Sequence, residues 1–432
     1  MSNAPLSAIR KVVASSLIGA TIEWYDFFLY GVVAGLIFNK QYFPSHDPLV
    51  GTMLAYATFA VGFLARPFGG IIFGHFGDRI GRKSMLVFTL ILMGVSTFLI
   101  ALIPNYESIG IWAPILLLVC RVLQGLGLGG EWGGAVLMTF EYAPPRKRGL
   151  YASLPQIGLS VGLCLAAGVV ALLSATLSDE AFSDWGWRVG FVLSAGLVFV
   201  GLYIRLTIRE TPEFTRVKQA NEESRIPFVD MMKRYPGNII KGMGARYIDG
   251  VFFNIFAVFS ISYLTNTLNL HRTDALTGVM VAAVVMCVFI PIFGALSDRI
   301  GRTRTYFWGS LVTGISALPA FWLMTQYSDH VLVVWLSIII PFGIFYASVY
   351  GPEAALFCEL FDTRVRYTGI SFVYQFSGIF ASGITPMIAT ALLGLNDGQP
   401  WLIVAYTIFA GVVSAFSAWL IGRSVSRQLQ PA

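Results

Sequence analysis

Charge is what this chain has least of. Only 12% of its 432 residues are Asp, Glu, Lys or Arg, roughly half the share in a soluble protein. A water-soluble domain with a charged shell is thereby excluded. Cysteine is scarce too. Cys120, Cys164, Cys287 and Cys358 all lie in apolar surroundings and none forms a Cys-x-x-Cys pair. No metal site or disulfide framework is indicated, and buried small apolar residues are the default reading. The four histidines, His46, His75, His271 and His330, fall in loops or at the ends of apolar runs, which argues against a buried histidine relay. No Gly-x-x-x-x-Gly-Lys-Ser/Thr loop, nucleophile–base set or metal cluster is present, so neither ATP-driven work nor an enzyme is expected, and no cofactor. No small-residue cleavage site follows the first apolar stretch, so that stretch is expected to remain as an anchor.

Apolar sequence fills the gap: 56% of the chain is hydrophobic. Helix-compatible runs fall near 13–39, 50–75, 84–103, 111–140, 151–177, 188–207, 238–266, 274–296, 304–325, 331–361, 367–394 and 400–422. Each is near the ~20 residues that cross a bilayer core, predicting an all-α membrane protein of twelve spans, numbered here in chain order. An even number puts both termini on one side. Of the 29 Lys and Arg, Lys40, Arg188 and Arg272 fall on the other side, and Arg66, Arg121 and Arg246 fall within spans. The rest crowd the termini and alternate loops, which makes that side cytoplasmic. The net charge of +6 is thus a topology signal and does not indicate nucleic acid as a partner. A charged stretch from Arg209 to Lys241 separates span six from span seven. The expected division is a six-helix bundle over 1–207, a cytoplasmic linker over 208–237 and a second bundle over 238–432.

Two landmarks repeat. Gly74-His-Phe-Gly-Asp78-Arg79-Ile-Gly-Arg82-Lys83 after span two recurs as Gly294-Ala-Leu-Ser-Asp298-Arg-Ile-Gly-Arg302-Thr303 after span eight, 220 residues on. Glu141-Tyr-Ala-Pro-Pro-Arg-Lys-Arg148 after span four recurs as Glu359-Leu-Phe-Asp-Thr-Arg364-Val-Arg366 after span ten. Near-equal offsets imply duplicated, pseudo-symmetric bundles. That is a transporter architecture with its site at mid-depth between the halves.

The first of these loops resembles the signature loop of the major facilitator superfamily. Arg121-Val-Leu-Gln-Gly125-Leu-Gly127-Leu-Gly129 resembles that superfamily's span-four motif, and Arg209-Glu-Thr-Pro-Glu-Phe214 its sugar-porter-like linker motif. Glu23-Trp-Tyr-Asp26-Phe, Arg66-Pro67 with Gly69-Gly70, Gly129-Gly-Glu131-Trp132-Gly-Gly134 and Trp185-Gly-Trp187-Arg188 resemble the metabolite:proton symporter family. That family includes bacterial carriers for shikimate, α-ketoglutarate, citrate and proline/betaine. Thr303 departs from the pattern where a basic residue is usual. The resemblance implies proton-coupled symport of a small organic acid, mono- or dicarboxylate, by alternating access. It further implies a monomer in the bacterial inner membrane, with protons as coupling ion. The rival readings are betaine-like zwitterion uptake, efflux, or a receptor that no longer transports.

Charged residues inside spans cost roughly 2.5–3.5 kcal/mol each on insertion scales, so they are the candidates for function. Glu23, Asp26 and Tyr30 fall on one face of span one. Arg121 lies near the midplane of span four, with Glu131 nearer the cytoplasm. Asp26 and Arg121 are expected to pair, with Asp26 carrying the proton, Arg121 tuning it and Glu131 a second proton site. The resemblance strengthens this, since proton-coupled sugar porters are similar in having such a pair. In span seven, Arg246 stands 220 residues after Asp26 and suits a ligand carboxylate, although Asp249 could satisfy it locally. Asn254 follows on the same span. Tyr346 and Tyr350 of span ten, Gln156 of span five, and Tyr374 and Gln375 of span eleven complete the candidate substrate surface, while Glu353, near the repeat equivalent of Glu131, is like it a candidate second proton site or inner-gate residue. Asp78, Arg79, Arg82, Glu141, Arg148, Asp298, Arg302, Glu359 and Arg366 form the candidate cytoplasmic gate.

Overall fold

The computed structural model describes residues 6–45, 47–80, 82–207, 227–361 and 365–428, excepting the side chains of 6, 74, 75, 77–80, 82, 227 and 425–428. The linker residues 208–226 therefore lie outside the described residues. Twelve helices are long and apolar enough to cross a membrane. In the first half they are Ser7–Gln41, Pro48–Phe73, Lys83–Leu102, Trp112–Tyr142, Pro145–Thr176 and Asp179–Leu206. In the second they are Pro236–Thr267, Arg272–Ile300, Arg302–Gln326, Val331–Cys358, Arg366–Leu395 and Trp401–Ser424. The apolar runs located all of them, and the helices mostly overrun the runs because charged end-residues continue the helical ladder.

Spans one and seven are the innermost helices, each with 94% of its most apolar stretch buried. The outward faces of other spans carry large apolar groups; Phe199 and Tyr203 of span six are each 73% exposed, a surface suited to acyl chains. Spans one and seven each swell into a π-helical turn, at Ala34–Phe38 and Ile255–Phe259. The near-220 offset of these turns extends the repeat from sequence into backbone shape. Further π-helical turns interrupt span ten at Ile339–Phe345 and span eleven at Ile379–Gly383. Such turns often mark functional helices, because they redirect side chains and free backbone groups.

The halves touch at both ends. At the basic end, where the charged loops lie, the amides of Gly149 and Leu150 donate to the two oxygens of Asp298, at 2.8 and 2.9 Å. A carboxylate is thus laid on the N-terminus of the helix that opens span five, where the backbone dipole favours it. Arg302 holds the same carboxylate at 3.0 Å and reaches Glu359 at 2.5 Å. Arg366 and Glu141 meet across the halves at 3.9 Å. At the opposite end Arg272 reaches Asp179 at 2.9 Å and Ser174 at 3.0 Å. Between the ends, Phe28 packs on Phe253 with centroids 4.9 Å apart. The halves are thus in contact at both ends and between them.

Of the candidate gate, Asp298, Arg302, Glu141, Glu359 and Arg366 come together as described. Arg148 stacks on Phe140 at 4.7 Å. The side chains of Asp78, Arg79 and Arg82 lie outside the described residues. We expect Asp298→Asn to weaken closure of the basic end by about 1–2 kcal/mol, since it removes one charged capping contact and one ion pair. A cysteine placed beneath the latch should then react faster with a thiol reagent added from that end, and an unchanged rate would refute the capping role.

Candidate functional site

Span one supplies the first group of buried charges, but its polar face divides among three neighbours. Asp26 accepts a 2.5 Å hydrogen bond from Ser194 of span six, and its second oxygen finds no partner among the described residues. Thr97 of span three stands beside it. Tyr30 donates to Thr58 at 2.7 Å. Glu23 turns toward Arg205 at 3.5 Å. The expected direct pair between Asp26 and Arg121 is not formed here. Arg121 donates to Gln124 at 3.1 Å, and Gln124 donates to Thr97 at 2.8 Å. Acid and guanidinium are thus separated by an amide and a hydroxyl. The helical period fixes an angle around span one, but packing decides which helix occupies that angle.

The guanidinium of Arg121 is fully buried among rings, 3.9 Å from the centroid of Phe27, 4.4 Å from Tyr30 and 4.7 Å from Phe59. It passes Gly62, where an added Cβ would lie 2.5 Å from its Nε. The aromatic faces attract the cation without using its N–H donors.

The second half builds a different group around Arg246. Asp249 lies one helical turn on and pairs with it at 3.5 Å, so the local alternative is the arrangement seen. Tyr346 donates a short hydrogen bond to the same carboxylate. The Arg246 guanidinium lies 3.7 Å from the Tyr374 ring centroid, and Trp132 of the first half stacks on that ring at 3.7 Å and 9°. Both cannot occupy one face at that distance, so Tyr374 is sandwiched and a cation–aromatic–aromatic column bridges the halves. Glu353 accepts from Tyr306 at 3.4 Å and leaves one oxygen unpartnered.

Gln156 donates across the halves to the Tyr350 carbonyl at 2.6 Å and accepts from Trp132 at 3.3 Å. Gln375 crosses in the other direction, to the Gly129 carbonyl at 3.4 Å. Asn254 is bound within its own span, to Gly250 at 2.8 Å. The Tyr350 hydroxyl, Gln375 Oε1 and Asn254 Oδ1 are buried with no hydrogen-bond partner among the described residues. Such groups are rare in proteins, and a bound water, ion or ligand is among the usual ways they are satisfied.

Two arginines were missed as site residues. Arg205 forms a short pair with Glu131 and a longer one with Glu23, and all three are buried. It sits near the end of span six and counted as a basic-end topology residue. The available signal was the need of two in-span glutamates for a cation. Glu23 and Glu131 line a small cavity together with Trp24, Trp132, Gln156 and Tyr350. Arg66 of span two carried only a motif resemblance. It is 1% exposed, with its guanidinium carbon 4.1, 4.2 and 5.1 Å from the centroids of Phe27, Phe63 and Trp24.

A duplicated twelve-helix bundle with buried charges in both halves has the build of a membrane carrier, and the comparisons agree. The Major Facilitator Superfamily model matches residues 16–383 and 244–431. The shikimate transporter of Escherichia coli (strain K12) is 40% identical over 96% of this chain and 95% of its own. The inner membrane metabolite transport protein YhjE of the same organism is 41% identical over 91% and 90%. Its proline/betaine transporter is 33% identical over 98% and 85%. Among solved structures, a partially occluded inward-open form of the xylose transporter XylE from E. coli superposes with a TM-score of 0.75. It covers 96% of this chain and 97% of its own at 18% identity, a likeness of fold alone. The chain belongs to the metabolite transporters of the major facilitator superfamily. It is a multi-pass membrane transporter, not an enzyme.

Proposed function

We propose that this protein is a proton-coupled symporter of a small organic acid of the shikimate or α-ketoglutarate kind. The carrying observation is a mismatch of charge within one buried layer. Asp26 has a hydroxyl but no cation beside it, and Arg121 has an amide but no carboxylate. A buried carboxyl without a cation is the group best placed to bind and release a proton. A buried guanidinium without a carboxylate is the group best placed to receive an anion. The chain Arg121–Gln124–Thr97 links the two places, so that an anion arriving at Arg121 changes the field at Asp26. The related shikimate transporter supports the acid, and the D-xylose-proton symporter, alike in fold, is compatible with proton coupling. Glu131, committed to Arg205, is the second candidate for a proton once that pair parts. In this reading the carrier works as a monomer in a bacterial inner membrane with its basic end and both termini cytoplasmic.

The betaine reading has support from the related proline/betaine transporter. It is the weaker because the aromatic group of Trp24, Phe27 and Phe63 already holds a cation of the protein itself. Counterflow in proteoliposomes decides between them. Labelled shikimate or α-ketoglutarate should exchange, and an inward proton gradient should drive accumulation. Exchange of glycine betaine alone would overturn the acid reading, indifference to the gradient would overturn symport, and no exchange at all would favour a non-transporting receptor.

A further inference from the structure

Arg66 is a buried cation whose side-on hydrogen-bonding edge is unpartnered among the described residues. Its Nε and Nη2 find no acceptor among the described residues, and no ion pair is formed with it there. These two atoms lie on the same side of the guanidinium plane's outline, and together they form the edge that grips both oxygens of a carboxylate side-on. Arg121 and Arg246 each have Nε unpartnered, but Arg121 donates from its two Nη groups to Gln124 and Phe59, and Arg246 pairs through Nη1 with Asp249 and donates from it to Ser382. The charges acting on Arg66 are Arg246 and Arg121, both cations, with the phenols of Tyr374 and Tyr350 nearby. Aromatic faces at 4.1–5.1 Å cover the flat of the group and leave its edge untouched. A desolvated cation that faces other cations is costly, and an anion delivered to its edge offsets that cost. Trp24 joins this place to the small cavity between the halves, which it also lines.

We propose that the Nε–Nη2 edge of Arg66 binds a carboxylate oxygen pair of the transported acid, making Arg66 a second substrate anchor of the first half beside Arg121, with which it shares the Phe27 ring. This rests on the acid-carrier reading above and adds the residue that recognises the acid. The binding site then has one guanidinium held by an internal acid, Arg246 with Asp249, and two held by aromatic rings, Arg121 and Arg66.

The test is binding of shikimate, α-ketoglutarate and the methyl ester of shikimate to purified full-length protein, followed by thermal shift and titration calorimetry. Wild type should prefer an acid to the ester. Arg66→Gln should weaken acid binding by about tenfold to a hundredfold, the usual worth of hydrogen bonds to a charged group, and should abolish the acid–ester preference. Arg66→Lys should keep part of the preference, since it keeps the charge but loses the fork. Ligand-free Arg66→Gln should melt no lower than wild type, because the ring contacts it loses are offset by removing a buried charge that has no ion-pair partner among the described residues. Wild-type acid affinity in Arg66→Gln overturns the inference alone. So does lost binding accompanied by a lower ligand-free melting temperature, which would make Arg66 a packing residue. Wild type that binds neither acid overturns the acid-carrier reading and the inference with it.

Discussion

Arg205→Gln should lower the stability of the folded protein by about 3–5 kcal/mol, the usual penalty for stranding one side of a buried ion pair. The expectation is large because the guanidinium serves two carboxylates, Glu131 in close contact and Glu23 at 3.5 Å. It also donates to the Leu86 carbonyl. The backbone is built around it: a Cβ on Gly19 would lie 2.3 Å from its Nη2. Without the cation, two acids face each other in a dry layer. Unfolding in detergent, with the fluorescence of the native fold as signal, measures the loss. Glu131→Gln placed beside Arg205→Gln should restore much of it, because a single acid then remains with neutral neighbours. A single variant as stable as wild type would show that the cluster is held by packing, with its charges neutralised in some other way.

Asp26→Asn should reduce uptake driven by a proton gradient by on the order of 100-fold or more, the low end of what a positioned proton-transfer group contributes. Counterflow exchange of the same acid, which needs no net proton movement, should survive. The substitution is nearly isosteric, and the Ser194 hydroxyl can still donate to the amide oxygen, so the helix contact is kept while the titratable group is removed. Measured in one batch of proteoliposomes, the ratio of driven uptake to exchange separates loss of coupling from loss of protein. Driven uptake at wild-type rates would remove Asp26 from the coupling path and direct attention to Glu131 and Glu353.

The architecture was legible because hydrophobic length and repeat offset are properties of the chain itself. Twelve apolar runs and two copies of each charged landmark lead to paired bundles without knowledge of any contact. The Arg246–Asp249 pair was legible for the same reason, since three residues along a helix are neighbours by construction. The partners of Asp26 were not. Ser194 lies 168 residues away, and which helix faces span one at that angle is decided by packing among all the spans. Arg205 was misjudged for a related reason. A basic residue near a span end satisfies the topology rule whether it reaches outward to headgroups or inward to acids, and only the fold distinguishes these.

The latch at the basic end has a genetic consequence. Asp298 binds the peptide amides of Gly149 and Leu150, and every residue except proline carries that amide. Side-chain replacement at position 150 therefore leaves the latch its partner, while a single change at position 298 removes both bonds. Random mutagenesis screened for a carrier that stays open at this end should return hits at codon 298 and few at codon 150. Codon 149 should be recovered for a different reason, since any side chain there meets the Gly294 carbonyl at 2.6 Å.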